Sequence, residues 1–246
     1  MPMNPCFACA VQTGSGHRQR GTPCQDSAQG FAGARACCVA LADGAGSRPD
    51  SHFAARAVTH SLSKALAEDF DHWYALSDRE LGTALLDLAR QAVQAQAPGV
   101  EPACTLLLCA AAEDRRCLVV HLGDGAVLGV GPGGGMLLSG PDNGEEENIT
   151  FFVSGSDAAA HLRIRRQLPP GCHTVLLCSD GSAASLLNPR TGGVAPGVAV
   201  LARQTATLPR QTAETYMEED MDRLFRARTP DDMSLAILCL DPAAAR

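Results

Sequence analysis

An uninterrupted run of uncharged residues, Cys37–Ala42, leads directly into Asp43 and Gly44. Such a run is typical of a strand buried on both faces, and the strand would end where the carboxylate begins. Because glycine has no Cβ, the chain can turn sharply after Asp43, and the Gly44 carbonyl can approach whatever the carboxylate binds. The run therefore predicts a core strand whose tip presents oxygen ligands of the kind that hard cations prefer.

Other acidic residues stand in similar places. Four carboxylates lie at the ends of apolar segments and a fifth lies in a predicted loop: Asp43, Asp124, Asp180 and Asp231, with Asp26 in the loop. Carboxylates close to one another repel and raise each other's pKa, so several at one edge of a core would be unfavourable without a cation. We therefore predict that these five residues form a metal site.

Turns and helix caps offer a second explanation for the same residues. Asp-Gly is a common hairpin turn, and Asp124-Gly125 lies between two predicted strands, so a simple turn remains open there. After Asp43 and Asp180 the sequence becomes helical, which leaves a cap at the start of a helix as the alternative. Asp231 could equally belong to the loop that precedes the last strand.

The order of the predicted elements indicates an α+β fold, because runs of strands alternate with runs of helices. The predicted strands cover residues 6–11, 37–42, 104–111, 117–122, 126–130, 136–139, 174–179 and 233–240, and the four from 104 to 139 predict an antiparallel meander. The predicted helices cover residues 51–66, 78–96, 182–187, 198–206 and 212–226, with Ser77 or Asp78 capping the second. We expect a loop at 17–25 and a turn at 31–36.

Composition narrows the class of protein. A chain of 246 residues with 46% hydrophobic and 19% charged residues predicts a single globular domain over 1–246. The net charge of −7 argues against a nucleic-acid partner, which would require clustered basic residues. The sequence has no apolar segment of membrane-spanning length and no signal peptide, so we expect a cytoplasmic protein that is not bound to a membrane. The eleven cysteines fall mostly in apolar segments and are interpreted as small hydrophobic residues.

Five short motifs, taken together, resemble the metal-dependent protein serine/threonine phosphatases of the protein phosphatase 2C type, especially the bacterial forms. The motifs are Gln25-Asp26, Ala42-Asp43-Gly44-Ala45-Gly46, Leu122-Gly123-Asp124-Gly125, Cys178-Ser179-Asp180-Gly181 and Asp231-Asp232-Met233-Ser234. The resemblance covers residues from about 15 to 240. It implies a four-layer αββα sandwich, in which two antiparallel sheets are flanked by helix pairs.

The resemblance also implies a role for each acidic residue. Asp43 would bridge two divalent ions, one of which would be completed by the Gly44 carbonyl and water. The other ion would be held by Asp180 and Asp231, with Asp26 acting near the pair through water. Asp124, with Asp180, would support a third and weaker ion. Ligands that are all oxygen favour Mn²⁺ or Mg²⁺ over zinc.

The reaction that the resemblance implies is direct hydrolysis of a phosphate ester. Two ions about 4 Å apart can activate a shared water and neutralise the phosphate oxygens, so no covalent intermediate is needed. Relatives hold the phosphate with an arginine that lies a few residues before the Gln-Asp motif. Arg20 is the candidate for that role, and Arg18 is the alternative.

The chain departs from the family pattern at two places, Ala45 and the third motif, which reads Gly123-Asp124-Gly125 where relatives usually have Gly-Asp-Ser-Arg. Many relatives have Asp-Gly-His, with the histidine proposed as the general acid, whereas this chain has Ala45. The role of general acid must fall to another group, and His17 is a candidate. A substrate-facing flap is expected within about 140–170, and its acidic residues, Glu145–Glu147, would either disfavour acidic substrates or form a solvated charge run.

Three functions remain open at the level of sequence. The favoured function is hydrolysis of phosphoserine and phosphothreonine in proteins, opposing a serine/threonine kinase. The first alternative is a related binding or regulatory module with weak or no turnover, which Ala45 favours. The second is a hydrolase of small phosphate esters, although no glycine-rich Lys-Ser/Thr loop for a nucleoside triphosphate is present.

Overall fold

Two antiparallel sheets form the centre of the protein. The computed structural model describes residues 5–142, 150–188 and 190–245. The strands are β1 (Cys6–Gln12), β2 (Asp26–Ala32), β3 (Ala36–Asp43), β4 (Leu106–Ala112), β5 (Cys117–Leu122), β6 (Ala126–Gly131), β7 (Gly134–Ser139), β8 (Arg163–Arg165), β9 (Thr174–Cys178) and β10 (Met233–Cys239). Sheet I has the strand order β1-β10-β9-β6-β7, and sheet II has the order β2-β3-β4-β5-β8.

Helices cover the outer face of each sheet. They are α1 (Ser15–Arg20), α2 (Ser51–Glu68), α3 (Phe70–Ala75), α4 (Asp78–Gln96), α5 (Ala158–His161), α6 (Asp180–Leu186), α7 (Gly197–Thr207) and α8 (Arg210–Asp220), which continues as a π-helical turn at Met221–Phe225. Helix α2 packs on β2 and β3 and against α4, while α7 and α8 contact strands of sheet I. The expected α+β sandwich of two antiparallel sheets with flanking helices is confirmed.

The alternation of β3 explains why its sequence is apolar throughout. Cys37, Val39 and Leu41 belong to the core between the two sheets, together with residues such as Leu177 of sheet I. The intervening residues, among them Cys38, pack under the helices in a separate core. A strand buried on both faces needs apolar side chains on both, which is the pattern of Cys37–Ala42.

Helix α4 has the bounds predicted for it because its signals are local. The Ser77 hydroxyl accepts from the Glu80 backbone N–H at 3.3 Å, and the Glu80 carboxylate accepts from the Ser77 N–H at 3.0 Å. This reciprocal pair satisfies two N–H groups that the first helical turn leaves unpaired. The predicted cap at Ser77 is therefore confirmed, whereas Asp50, which precedes α2, makes no side-chain cap.

The predicted four-stranded meander is wrong. Strands β4 and β5 pair in sheet II, whereas β6 and β7 pair in sheet I. The chain changes sheets at residues 123–125, where Gly123 has φ of 110° and a Cβ would lie 2.6 Å from Thr105 Cγ2. Asp124-Gly125 is consequently a connection between sheets and not a hairpin turn.

Two other local predictions are right only in part. The segment predicted as the loop 17–25 is helical as far as Arg20, where α1 ends, and irregular after it. The expected turn at 31–36 contains the turn between β2 and β3 at residues 33–35, but its outer residues belong to the two strands. Strand β2 itself was not predicted, because its residues are small or polar and it is stabilised by pairing with β3 along its whole length.

The described cysteine side chains are all thiols, and most are buried. Burial raises the pKa of Cys9 and Cys178 to about 12, which leaves these thiols protonated and unreactive. This agrees with their interpretation as small hydrophobic residues. None of the described helices combines the length and the apolar character that crossing a membrane would require.

Candidate metal centre

The pairing of β2 with β3 places two of the predicted carboxylates side by side. Asp26 begins β2, Asp43 ends β3, and the two residues are directly opposite each other in the antiparallel register. Asp26 therefore lies in a strand and not in the predicted loop. Its position follows from the register alone, because opposite residues of antiparallel strands have their Cβ atoms about 5 Å apart.

Sheet I brings three more carboxylates to the same edge. Cys178 of β9 is opposite both Leu235 of β10 and Ala126 of β6, so the ends of the three strands lie next to one another. The flanking segments carry Asp124 just before β6, Asp180 just after β9 and Asp231 just before β10. Residues that are far apart in sequence are thus brought together by sheet register.

These strand ends enclose a cleft of about 150 Å³. It is lined by His17, Gln25, Asp43, Gly44, Ala45, Gly46, Thr105, Asp124, Thr150, Phe152, Asp180 and Asp231. The predicted ligands Asp43, Gly44, Asp124, Asp180 and Asp231 are therefore brought together. Asp26 lies behind Asp43, does not line the cleft and is buried.

Asp43 carries the strongest electrostatic signature of the cleft. Burial raises the pKa of Asp43 well above its ordinary value, and the charges of Asp26, Asp180, Asp124 and Asp231 raise it further. Part of the side chain still reaches the solvent of the cleft, although protein surrounds it on the other sides. A divalent cation would remove this penalty by offsetting the crowded negative charge.

Asp26 is a buried carboxylate that lacks its usual partners. Burial raises its pKa to about 7, the charges of Asp232 and Asp180 add to the increase, and the neighbouring hydroxyls of Ser234 and Ser179 oppose it. Neither carboxylate oxygen has a hydrogen-bond partner of acceptable geometry among the described residues. Orphaned oxygens at this depth fit a site that water and a nearby cation would complete.

The pKa of Asp180 is also raised, by less than that of Asp26. Burial raises its pKa to about 6, and the charges of Asp124 and Asp231 contribute to the increase. The Gly181 backbone N–H donates to Asp180 Oδ1 at 2.5 Å, which opposes the increase. Three carboxylates of this cleft and its floor therefore have raised pKa values, a clustering that is typical of functional sites.

Gly44 has the geometry expected of a backbone ligand. Its N–H donates to the Gln25 carbonyl at 3.1 Å, and its own carbonyl oxygen accepts no hydrogen bond from the described residues. A Cβ at this position would lie 2.6 Å from Ser51 Oγ, so only glycine fits without a rearrangement. The free carbonyl beside Asp43 suits an oxygen-preferring ion.

The residues present fit Mn²⁺ or Mg²⁺ but do not enclose an ion by themselves. Among the described residues, no three His, Cys, Asp or Glu side chains are arranged to hold one ion together. An ion in this cleft would therefore take much of its coordination from the Gly44 carbonyl and from water, as Mg²⁺ commonly does in proteins. No cysteine is among the described residues that line the cleft, which argues against zinc.

The cleft contains contacts that the sequence did not predict. Thr105 Oγ1 accepts from the Asp43 N–H at 2.9 Å and so fixes the end of β3. Thr150 Oγ1 donates to Asp124 Oδ2 at 2.6 Å, which joins the segment of the expected flap to the centre. The predicted flap residues 145–147 lie outside the described residues. The hydroxyls of single threonines carry no sequence signal that could have identified them.

Asp232 is the most important residue that the sequence analysis left without a role. It is 2% exposed, and its carboxylate accepts from the backbone N–H groups of Gly14 and Gln25, each at 2.7 Å. It also lies 2.7 Å from His17 Nδ1. Asp231 lies at the cleft, whereas the neighbouring Asp232 links α1 to the start of β10.

The two candidate arginines differ in their contacts. Arg18 Nη2 donates to Gln12 Oε1 at 3.0 Å, so its guanidinium is directed towards the end of β1. Arg20 is exposed at the end of α1 and has no ion pair or hydrogen bond among the described residues. Neither arginine lines the cleft. The assignment of Arg20 to phosphate binding therefore stays a prediction.

A second groove, of about 500 Å³, lies at the far end of the β4–β5 hairpin, and two of its acids, Asp71 and Asp114, are paired with arginine. Asp71 is 2.5 Å from Arg116 Nη2 and 3.7 Å from Arg35 Nη1, and Asp114 is 2.7 Å from Arg116 Nη2. Acids that already have cationic partners have no need of a metal ion. The smaller cleft is therefore the candidate site.

Comparison with known proteins finds a matching family. The sequence profile of a family described as protein phosphatase 2C matches residues 13–226. No curated protein matches the chain.

Solved structures with the same fold cover nearly the whole chain. A serine/threonine phosphatase from S. agalactiae is 15% identical with a TM-score of 0.62, and the match covers 97% of this chain and 100% of that one. The catalytic domain of the serine/threonine protein phosphatase PstP, in complex with two manganese ions, is 19% identical with a TM-score of 0.58, covering 96% and 97%. PstP from Mycobacterium tuberculosis is 18% identical with a TM-score of 0.59, covering 96% and 99%. At these identities the structures show a common fold.

Proposed function

Because the chain belongs to the protein phosphatase 2C family of serine/threonine phosphatases, we propose that it hydrolyses phosphoserine and phosphothreonine in proteins with the help of divalent ions. The observation that carries the proposal is the convergence of Asp43, Asp124, Asp180 and Asp231, with Asp26 behind them, at one cleft. Their mutual repulsion is explained if cations occupy the cleft.

Mn²⁺ or Mg²⁺ is the proposed cofactor, with two ions and a third, weaker one. Asp43, Asp180, Asp231 and the Gly44 carbonyl would hold the pair, Asp26 would act through water, and Asp124 would serve the third. Ions of this kind supply an activated water and offset the charge of the phosphoryl group. The two-manganese complex of the PstP domain supports this choice of metal and number.

The chain's own residues would position the substrate. Arg20, whose guanidinium is exposed and has no partner among the described residues, would hold the phosphate through a charge-assisted hydrogen bond. Thr150 and Phe152 line the cleft. They would belong to a flap within about 140–170 that contacts the substrate. We also propose that residues 1–246 form one domain, since one core joins the two sheets, and that a serine/threonine kinase supplies the substrate.

Phosphate release from a phosphothreonine peptide tests the proposal. The wild type should release phosphate with Mn²⁺ or Mg²⁺ and stop when a chelator is added. Asp43→Ala and Asp231→Ala should each lower the rate by at least about a hundredfold, because each removes a ligand. Asp87→Ala is the matched control, since Asp87 is an exposed aspartate of α4 that does not line the cleft, and it should behave as the wild type. A wild type that is inactive with both ions would overturn the proposal.

Ala45 favours one alternative, a binding module without turnover, because a histidine occurs at this position in many relatives. The same assay separates the alternatives when peptide binding and a nucleotide substrate are included. Tight peptide binding without phosphate release would favour the module. Faster release from the nucleotide than from the peptide would favour a hydrolase of small phosphate esters.

A further inference from the structure

His17 is a candidate for direct participation in the reaction, and the argument rests on the proposed function. It lies in α1, is 7% exposed and lines the cleft together with the carboxylates. Among the described residues that line the cleft, it is the one histidine. Histidine is the side-chain type best suited to donate and accept protons near neutral pH.

Asp232 fixes the orientation of this histidine. Its Oδ2 lies 2.7 Å from His17 Nδ1, and both side chains are nearly inaccessible to solvent. The same carboxylate is itself held by two backbone N–H groups, those of Gly14 and Gln25. Because an ionised carboxylate can only accept hydrogen bonds, the proton of this contact belongs to Nδ1.

The second ring nitrogen is left for the substrate. With Nδ1 donating to Asp232, Nε2 of His17 is an acceptor in the neutral ring and a donor in the protonated ring. Nε2 makes no hydrogen bond within the part of the chain that the structure describes. A buried carboxylate that orients a histidine lining a reaction site is the arrangement by which hydrolases prepare a proton-transfer group.

We propose that His17 is the general acid of this enzyme and that Asp232 is its positioning residue. Ala45 has no proton to give, and the other uncharged polar side chains at the cleft, Gln25, Thr105 and Thr150, are poor acids near neutral pH. The contact of Asp232 with Nδ1 leaves Nε2 as the ring nitrogen that can give a proton to the substrate. His17 therefore supplies from α1 a function that the Asp43-Gly44-Ala45 segment lacks.

A water oxygen forms a bond to phosphorus, and the bond between phosphorus and the seryl or threonyl oxygen breaks, with its electron pair remaining on that oxygen. The proton on Nε2 of His17 passes to the leaving oxygen and yields the free hydroxyl. The proton lost by the attacking water returns through solvent to Nε2, which restores the charged ring.

The dependence of kcat on the leaving group distinguishes a general-acid role of His17 from a purely structural role. An alkyl phosphate such as phosphothreonine needs a proton on its leaving oxygen, whereas p-nitrophenyl phosphate releases a stable phenolate without one. His17→Asn keeps a side-chain N–H for Asp232 and removes only the group equivalent to Nε2. With Mn²⁺ present, we expect His17→Asn to lower kcat for a phosphothreonine peptide by about 100-fold, and for p-nitrophenyl phosphate by less than about 10-fold.

Two further variants complete the test. His17→Ala should show the same selective loss as His17→Asn. Asp232→Asn should also lower kcat more for the peptide than for p-nitrophenyl phosphate, because the His17 ring is then misplaced. Melting temperatures check that each variant is folded. Equal losses on both substrates, or no loss on the peptide with a folded His17→Asn, would overturn the assignment while leaving the phosphatase function intact. An inactive wild type would overturn both.

Discussion

At the scale of single residues, Asp26 connects the charge of the site to the stability of the fold. Its carboxylate is buried without a hydrogen-bond partner among the described residues, and its pKa is raised to about 7 from an ordinary value of 3.8. In the unfolded chain this group ionises near its ordinary value, whereas in the folded chain it keeps its proton to higher pH. The metal-free folded state therefore binds more protons between these two values, and its stability falls as the pH rises through them.

Asp26→Asn should remove much of this pH dependence. Without divalent ions, we expect the free energy of unfolding of the wild type to fall by a few kcal/mol between about pH 4 and about pH 7, and that of Asp26→Asn to fall less. Asp43, whose pKa is raised well above its ordinary value, and Asp180, whose pKa is raised to about 6, leave part of the fall in the variant. Urea unfolding at several pH values measures the difference, and Mn²⁺ should flatten the wild-type curve. Identical curves for the two proteins without metal would contradict this account of Asp26.

At the scale of elements, Gly181 allows α6 to start against β10. A Cβ on Gly181 would lie 2.1 Å from the Asp232 carbonyl oxygen, which is backbone and cannot move aside cheaply. The close approach brings Asp180 of α6 and Asp231, just before β10, to the same cleft. The geometry of the centre therefore depends on one backbone contact between two elements.

Gly181→Ala should be destabilising in spite of the better helix propensity of alanine. We expect a loss of at least about 2 kcal/mol in the free energy of unfolding, together with weaker Mn²⁺ binding. Gly197, which opens α7, is the matched control because nothing lies within 4 Å of a Cβ there. Gly197→Ala should be neutral or stabilising by up to about 1 kcal/mol. If the two variants had equal stability in thermal or urea unfolding, the contact would have no energetic importance.

Elements with local sequence signals could be predicted, whereas features that depend on distant pairing could not. Helix α4 was predicted with its observed bounds because its apolar period and its capping box are local features. The carboxylates at strand ends were also identified, because each follows or precedes an apolar run. The assignment of β6 to sheet I was missed, since sheet membership depends on pairing with β9 about fifty residues later in the chain. Asp232 was missed for the same reason, as its partner His17 is 215 positions away.

At the scale of the whole molecule, the core between the sheets holds the two halves of the centre in register. Sheet II contributes Asp26 and Asp43, while Asp180 and Asp231 flank strands of sheet I. Leu107 of β4 is fully buried in this core, and its side chain lies beside Gly125 in the connection that carries Asp124. Loosening the core should therefore affect both stability and metal binding.

Leu107→Ala should lower the free energy of unfolding by about 2 to 5 kcal/mol, since it leaves a cavity between the sheets. We also expect weaker Mn²⁺ binding, measured by calorimetry under conditions where the variant is still folded. Leu137→Ala is the control, because Leu137 of β7 is 39% exposed and should cost less than about 1 kcal/mol. Unchanged metal affinity in a folded Leu107→Ala would show that the centre does not depend on this core.

Anomalous diffraction from crystals soaked in Mn²⁺ tests the central claim most directly, which is that divalent ions bind at the cleft where these distant carboxylates meet. We predict two strong anomalous peaks beside Asp43, within coordination distance of Asp180, Asp231 and the Gly44 carbonyl. The same crystals of Asp43→Ala should lose both peaks. A soaked wild-type crystal without a peak in this cleft, or with its manganese bound elsewhere on the protein, would contradict the account.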